Sequence, residues 1–66
     1  MAMSKSKYGA RVYRVKNTIL VKQTVLRDNH YVIDEHKERH IAEDDDAAIA
    51  SAIRNSLAGK LSQKTN

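Results

Sequence analysis

The sequence contains no cysteine, proline, tryptophan or phenylalanine, and only two glycines in 66 residues. Without cysteine there is neither a disulfide framework nor a thiolate zinc site to support a small core, and the expected compartment is the reducing cytoplasm. Two glycines, Gly9 and Gly59, cannot form a glycine-rich phosphate loop or frame a nucleophile elbow. No run approaches the ~18 apolar residues of a membrane span, and no apolar segment follows the basic start as in a signal peptide. With three tyrosines as the only aromatics, the core has to come from Ile, Val, Leu and Ala. A chain of this length buries only ~60% of its unfolded surface, so that core is one thin layer.

Another absence is positional, since the first 27 residues hold no acid. Lys5, Lys7, Arg11, Arg14, Lys16, Lys22 and Arg27 give that half a charge of +7. All eight carboxylates lie between Asp28 and Asp46, where Lys37 and Arg39 reduce the balance to −6. Arg54, Lys60 and Lys64 then restore the total of +4. A positive half beside a negative half is either a recognition surface or an internal electrostatic match.

Periodicity predicts an α+β fold, a three-stranded antiparallel sheet with one C-terminal helix packed on one face. Residues 11–16 alternate around Val12 and Val15. Residues 19–27 are rich in β-branched side chains, and Tyr31-Val32-Ile33 starts a third strand that runs to about Arg39. Asp28-Asn29-His30 is a turn signal, because Asp and Asn accept left-handed backbone. The helix follows Asp44-Asp45-Asp46, with Ile49, Ala52, Ile53, Leu57 and Leu61 as its apolar stripe and Gly59 as its stop. The expected organisation is a flexible basic arm over residues 1–9, one domain over 10–61 and a flexible tail over 62–66. Three-residue hairpin loops segregate polarity best. They predict a helix-covered face with Tyr13, Val15, Ile19, Val21, Val25, Tyr31 and Ile33, and an exposed face with Arg14, Lys16 and Lys22 among Val12, Leu20 and Leu26.

The basic residues Lys5, Lys7, Arg11, Arg14, Lys16, Lys22 and Arg27 have no local structural explanation and form the primary candidate binding surface. Asp44, Asp45 and Asp46 form a secondary one. A helix start accounts for much of that cluster, because a carboxylate there caps N–H groups and opposes the dipole. His36 and His40 on a strand stand ~13 Å apart, too far to chelate one ion. Their default is solvation near a turn, with scope for pH-sensitive binding. Glu35-His36-Lys37 echoes the end of a nuclease metal motif, but the chain is too short for that fold. The expectation is a non-enzyme with no metal and no cofactor.

In size, compactness and β-β-β-α order the chain resembles the small immunity proteins of bacterial toxin systems and phage-encoded anti-defence proteins such as anti-CRISPRs. That resemblance implies a protein–protein inhibitor that occludes a nuclease or nucleic-acid-handling complex, in the host cytoplasm if phage-encoded. It carries over no site residue. The layout is also similar to the sheet-reading DNA-binding domains of plant AP2-type factors and integrase arm-binding domains, although no tryptophan is present to stack. The expected partners are therefore a protein first and nucleic acid second, with a homodimer as the third reading and no membrane.

Overall fold

A computed structural model describes residues 6–61. Three strands, β1 (Tyr8–Val15), β2 (Thr18–Arg27) and β3 (His30–Ala42), precede one helix, α1 (Asp46–Leu57). The strands form an antiparallel sheet in the order β1-β2-β3. This is the expected α+β architecture. Strand β1 begins at Tyr8, so the last two residues of the expected basic arm belong to the sheet.

Both hairpin loops have two residues, not three. Val15 pairs with Thr18 and Arg27 with His30. Lys16 (φ 56°) supplies the left-handed step in the first turn, and Asp28 (φ 51°) and Asn29 (φ 68°) supply it in the second. A left-handed first residue, alone or followed by a second, is what a primed hairpin turn needs to match the twist of its strands. The shorter loops swap the parity of the faces. Directly opposed residues share a face, so Val12, Val21 and Arg39 lie on one side, and Arg11, Lys22 and Glu38 on the other.

Strand β3 contains a large bulge. Lys22 pairs with Glu38 and Thr24 with Ile33, so Gln23 alone opposes residues 34–37. His36 takes φ 70° within that excursion. The odd surplus of residues inverts the alternation of β3, placing Tyr31 and Ile33 on one face but Ile41 on the other.

The helix covers the face that carries Ile19, Val21 and Ile41. Val21, Ile41, Ala52 and Leu61 are buried, with Ile19, Ala48, Ile49 and Ile53 packed against them. The line Ala48, Ala52, Ser56 is small, which lets the helix backbone approach the sheet. Ser56 is fully buried and its hydroxyl donates to the Gly9 carbonyl at 2.7 Å. Leu57, expected in the buried stripe, is 51% exposed because the packed direction runs through Ser56 instead.

The helix ends are well specified. Asp45 is the N-cap and its Oδ1 accepts from the Ala48 N–H at 3.1 Å. At the other end Lys60 N–H donates to Asn55 O at 2.7 Å, and Gly59 N–H to Ser56 O at 3.1 Å. These are the two bonds of a Schellman turn, with Gly59 at φ 73° as its left-handed residue. The turn folds Leu61 into the core, where it is 1% exposed. Gln23, also 1% exposed, ties this turn to the β3 bulge. Its Oε1 accepts from Leu61 N–H at 3.0 Å and its Nε2 donates to Asp34 Oδ2 at 2.8 Å.

Candidate docking surface

The face opposite α1 has no described element packed on it. Its cross-strand rungs follow from the register: Val15, Thr18 and Ala42; Tyr13, Leu20 and His40; Arg11, Lys22 and Glu38; Gly9, Thr24 and Ile33; then Leu26 and Tyr31. Part of the last two rungs is covered by the protein itself, although Ile33 stays 36% exposed. The Tyr31 ring lies over Gly9, within 3.5 Å of where a Cβ would sit, and its hydroxyl donates to Ser6 O at 2.6 Å. Thr24 beneath is only 2% exposed. An aromatic laid across a strand glycine fills the gap that the missing side chain leaves.

The other end stays open. Tyr13 is 43% and Val15 56% exposed, beside the half-buried Leu20. A shallow hollow of about 280 Å³ lies there, lined by Val15, Lys16, Thr18, Leu20 and His40. Arg11 and Lys22 stand on the next rung, so an apolar depression is bordered by cations. Glu38 shares that rung and engages His40 at 2.8 Å (Oε2 to Nε2). A second hollow of about 400 Å³ is lined by Val25, Arg27, Val32, Ile33, Asp34 and Glu35, beside the bulge.

The structure does not assemble the seven basic residues on one face. Arg11 and Lys22 lie on the open face and Lys16 in the turn beside it. Arg14 belongs to the helix-covered side, opposite Ile19, and its Nε donates to Glu43 Oε2 at 3.0 Å. Arg27 shares that side at the far end of β2. Lys7 sits with its Nζ 5.5 Å from the Tyr8 ring centroid. Lys5 lies outside the described residues. The expected placement of Arg14 and Lys22 on one face depended on three-residue loops and fails with them. Sequence reasoning also missed Tyr13 and Val15 as exposed apolar residues, because the same parity assigned them to the core.

Of the acids, Asp45 is occupied as the N-cap and Asp46 opens the helix, while Asp44 lies exposed in the connector. This is the capping geometry that the Asp run suggested. Among the described residues no three His, Asp or Glu side chains are grouped to hold a metal ion, and no helix is long and apolar enough to cross a membrane. His36 sits in the bulge with φ 70°, and His40 lies on the open face beside Leu20. No family model, curated protein or solved structure matches this chain.

Proposed function

We propose that this domain is a non-enzymatic protein-binding module of the inhibitor or adaptor type, and that the open end of the sheet is its docking surface. The observation that supports this reading is the hollow at Val15, Thr18 and Leu20, apolar at its floor and bordered by Lys16, Arg11 and Lys22. Such a surface fits a partner segment with an apolar plug flanked by carboxylates. Apolar burial supplies affinity, and charge complementarity supplies register and approach rate. Occlusion of a nuclease or nucleic-acid-handling complex is the mechanism in keeping with a chain of this size. The division of the cations between two faces weakens a phosphate-tracking role, which gains most from one continuous basic stripe.

The test is capture from a nuclease-treated lysate of the source cells, using the native chain beside Tyr13→Ala and Val15→Asp. Both substitutions fall on exposed side chains and leave the core intact. A protein that the native chain recovers and both variants lose supports the reading. Equal recovery by all three chains, or recovery that disappears with nuclease treatment, refutes it.

A second reading rests on Arg11 and Lys22, direct cross-strand neighbours beside Tyr13. Two adjacent cations next to an exposed ring can bind a nucleic-acid strand by charge and stacking. This reading requires a gel shift with DNA or RNA at about 50 mM salt that weakens steeply as salt rises. Absence of any shift there eliminates it.

A further inference from the structure

The sheet has two edges, and the chain treats them differently. On β3 the bulge at residues 34–37 and the left-handed His36 interrupt the row of backbone groups. Interruption of this kind is one of the ways by which sheets prevent edge-to-edge association. Strand β1 carries two cations, Arg11 and Arg14, but no such interruption of its backbone. It pairs residue for residue with β2 over all eight positions from Tyr8 to Val15, without a bulge or a proline.

The free groups of β1 can be identified. Val15 and Thr18 flank a two-residue turn, and the Lys7 carbonyl accepts from Leu26 N–H at 2.7 Å. Odd-numbered residues therefore bond towards β2, and the N–H and C=O groups of Tyr8, Ala10, Val12 and Arg14 point away from the sheet. Residues 11–15 are exposed throughout. Among the described strands none pairs with this edge.

We propose that β1 pairs antiparallel with β1 of a second copy, about a two-fold axis at Val12. An antiparallel pair keeps each face continuous, so opposed residues must have the same parity. Axes at Arg11 or Arg14 oppose two guanidinium groups, which is unfavourable for like charges directly across a ladder. An axis at Tyr13 sets Arg11 against Val15 and Arg14 against Val12, leaving each cation beside an aliphatic chain. The axis at Val12 opposes no two cations and leaves only Arg14 beside an aliphatic side chain. It sets Val12, 48% exposed in one copy, against its counterpart and Ala10 against the partner's Arg14. On the open face it sets Arg11 beside the partner's Tyr13, a cation–π arrangement repeated twice by symmetry. Three hydrogen-bonded residue pairs contribute about six backbone bonds. The product is a six-stranded sheet with both helices on one side and the two docking hollows on the other. This inference goes beyond the protein-docking reading and does not depend on it.

Sedimentation equilibrium from about 10 µM to about 1 mM tests the pairing, with Val12→Pro as the variant. Proline removes an outward N–H while leaving the β1–β2 bonds in place. The expected result is a native chain of twice the 7.5 kDa monomer mass at the upper concentrations, with association weakened ~100-fold or more in the variant. A native chain that is monomeric near 1 mM overturns the proposal, as does a folded variant that still dimerises. Amide exchange on the native chain is an independent reading that holds even if the variant fails to fold. Protection of the Val12 and Arg14 N–H groups that rises with concentration supports edge pairing. Protection unchanged by concentration refutes it.

Discussion

Gln23 is the single side chain on which the tertiary structure makes its clearest quantitative demand. It joins three separate parts of the chain: the middle of β2, the β3 bulge through Asp34, and the segment after α1 through Leu61. Gln23→Leu keeps a similar volume and adds apolar area, so a purely hydrophobic account predicts little change or a gain. The hydrogen-bond account predicts a loss. Leu61 is 1% exposed, and an amide left there without a partner costs about 1–3 kcal/mol. The Asp34 carboxylate is only half-buried and can turn to water, adding about 0.5–1 kcal/mol, while the added apolar surface returns a similar amount. The net expectation is a loss of about 2 kcal/mol. A domain of this size holds about 3–10 kcal/mol in all. With a urea m-value of about 1 kcal/mol/M, the unfolding midpoint falls by about 2 M at unchanged slope. A midpoint shift below about 0.5 M refutes the assignment of Gln23 as a structural tie. Gln23→Glu sharpens the test, because it retains an acceptor for Leu61 but sets a second carboxylate against Asp34. Repulsion and burial raise the introduced group's folded-state pKa above its unfolded value of about 4.3. Its penalty is therefore absent below that value and grows as pH rises towards neutrality. Equal stability of native and variant chains at pH 7 contradicts the geometry.

Gly59→Ala is expected to cost about 1–3 kcal/mol, since φ is 73° and the new Cβ falls 2.4 Å from Tyr8 Cε2. Calorimetry of the double variant with Tyr8→Ala separates the two contributions, because only the steric part can be recovered. Gly9→Ala places a Cβ 2.6 Å from Thr24 Oγ1 under the Tyr31 ring. It should destabilise the fold by about 1–3 kcal/mol and raise proteolysis at the N-terminal end of β1. Asp45→Ala removes the cap on Ala48 N–H and should lower stability by about 1 kcal/mol, roughly 4–8 °C in Tm. Asp44→Ala, which removes no cap, should leave the melting temperature nearly unchanged.

How much of this was legible in the sequence depends on the range of the interaction concerned. The helix start was legible because capping is local: Asp45 bonds a backbone N–H three residues away. Gly59 as the helix stop was legible for the same reason. Which residues the helix buries was less so. Ser56 is buried by a bond to Gly9, 47 positions away, and Leu57 is exposed as a consequence. The loop lengths were least legible and had the largest consequence. Lys16 is not a residue that announces a left-handed turn, yet its φ of 56° makes the first loop two residues long. One residue of loop length moved Tyr13 and Val15 from the expected core to the open face and separated Arg14 from Lys22. The β3 bulge had a faint signal in the loss of alternation from Asp34 to His40, although its parity effect was not legible.

The sequence by itself determined the order and kind of the elements, the aliphatic character of the core, both ends of the helix and the charge asymmetry along the chain. All of these follow from composition, short-range periodicity and local hydrogen bonding. Only the tertiary structure decided which face each side chain occupies. That assignment depends on the two-residue turns, the β3 bulge and the closure of Gln23 on Leu61, none of which composition or periodicity specifies. The basic half of the chain is continuous in sequence but divided in space, because a strand sends successive side chains to opposite faces.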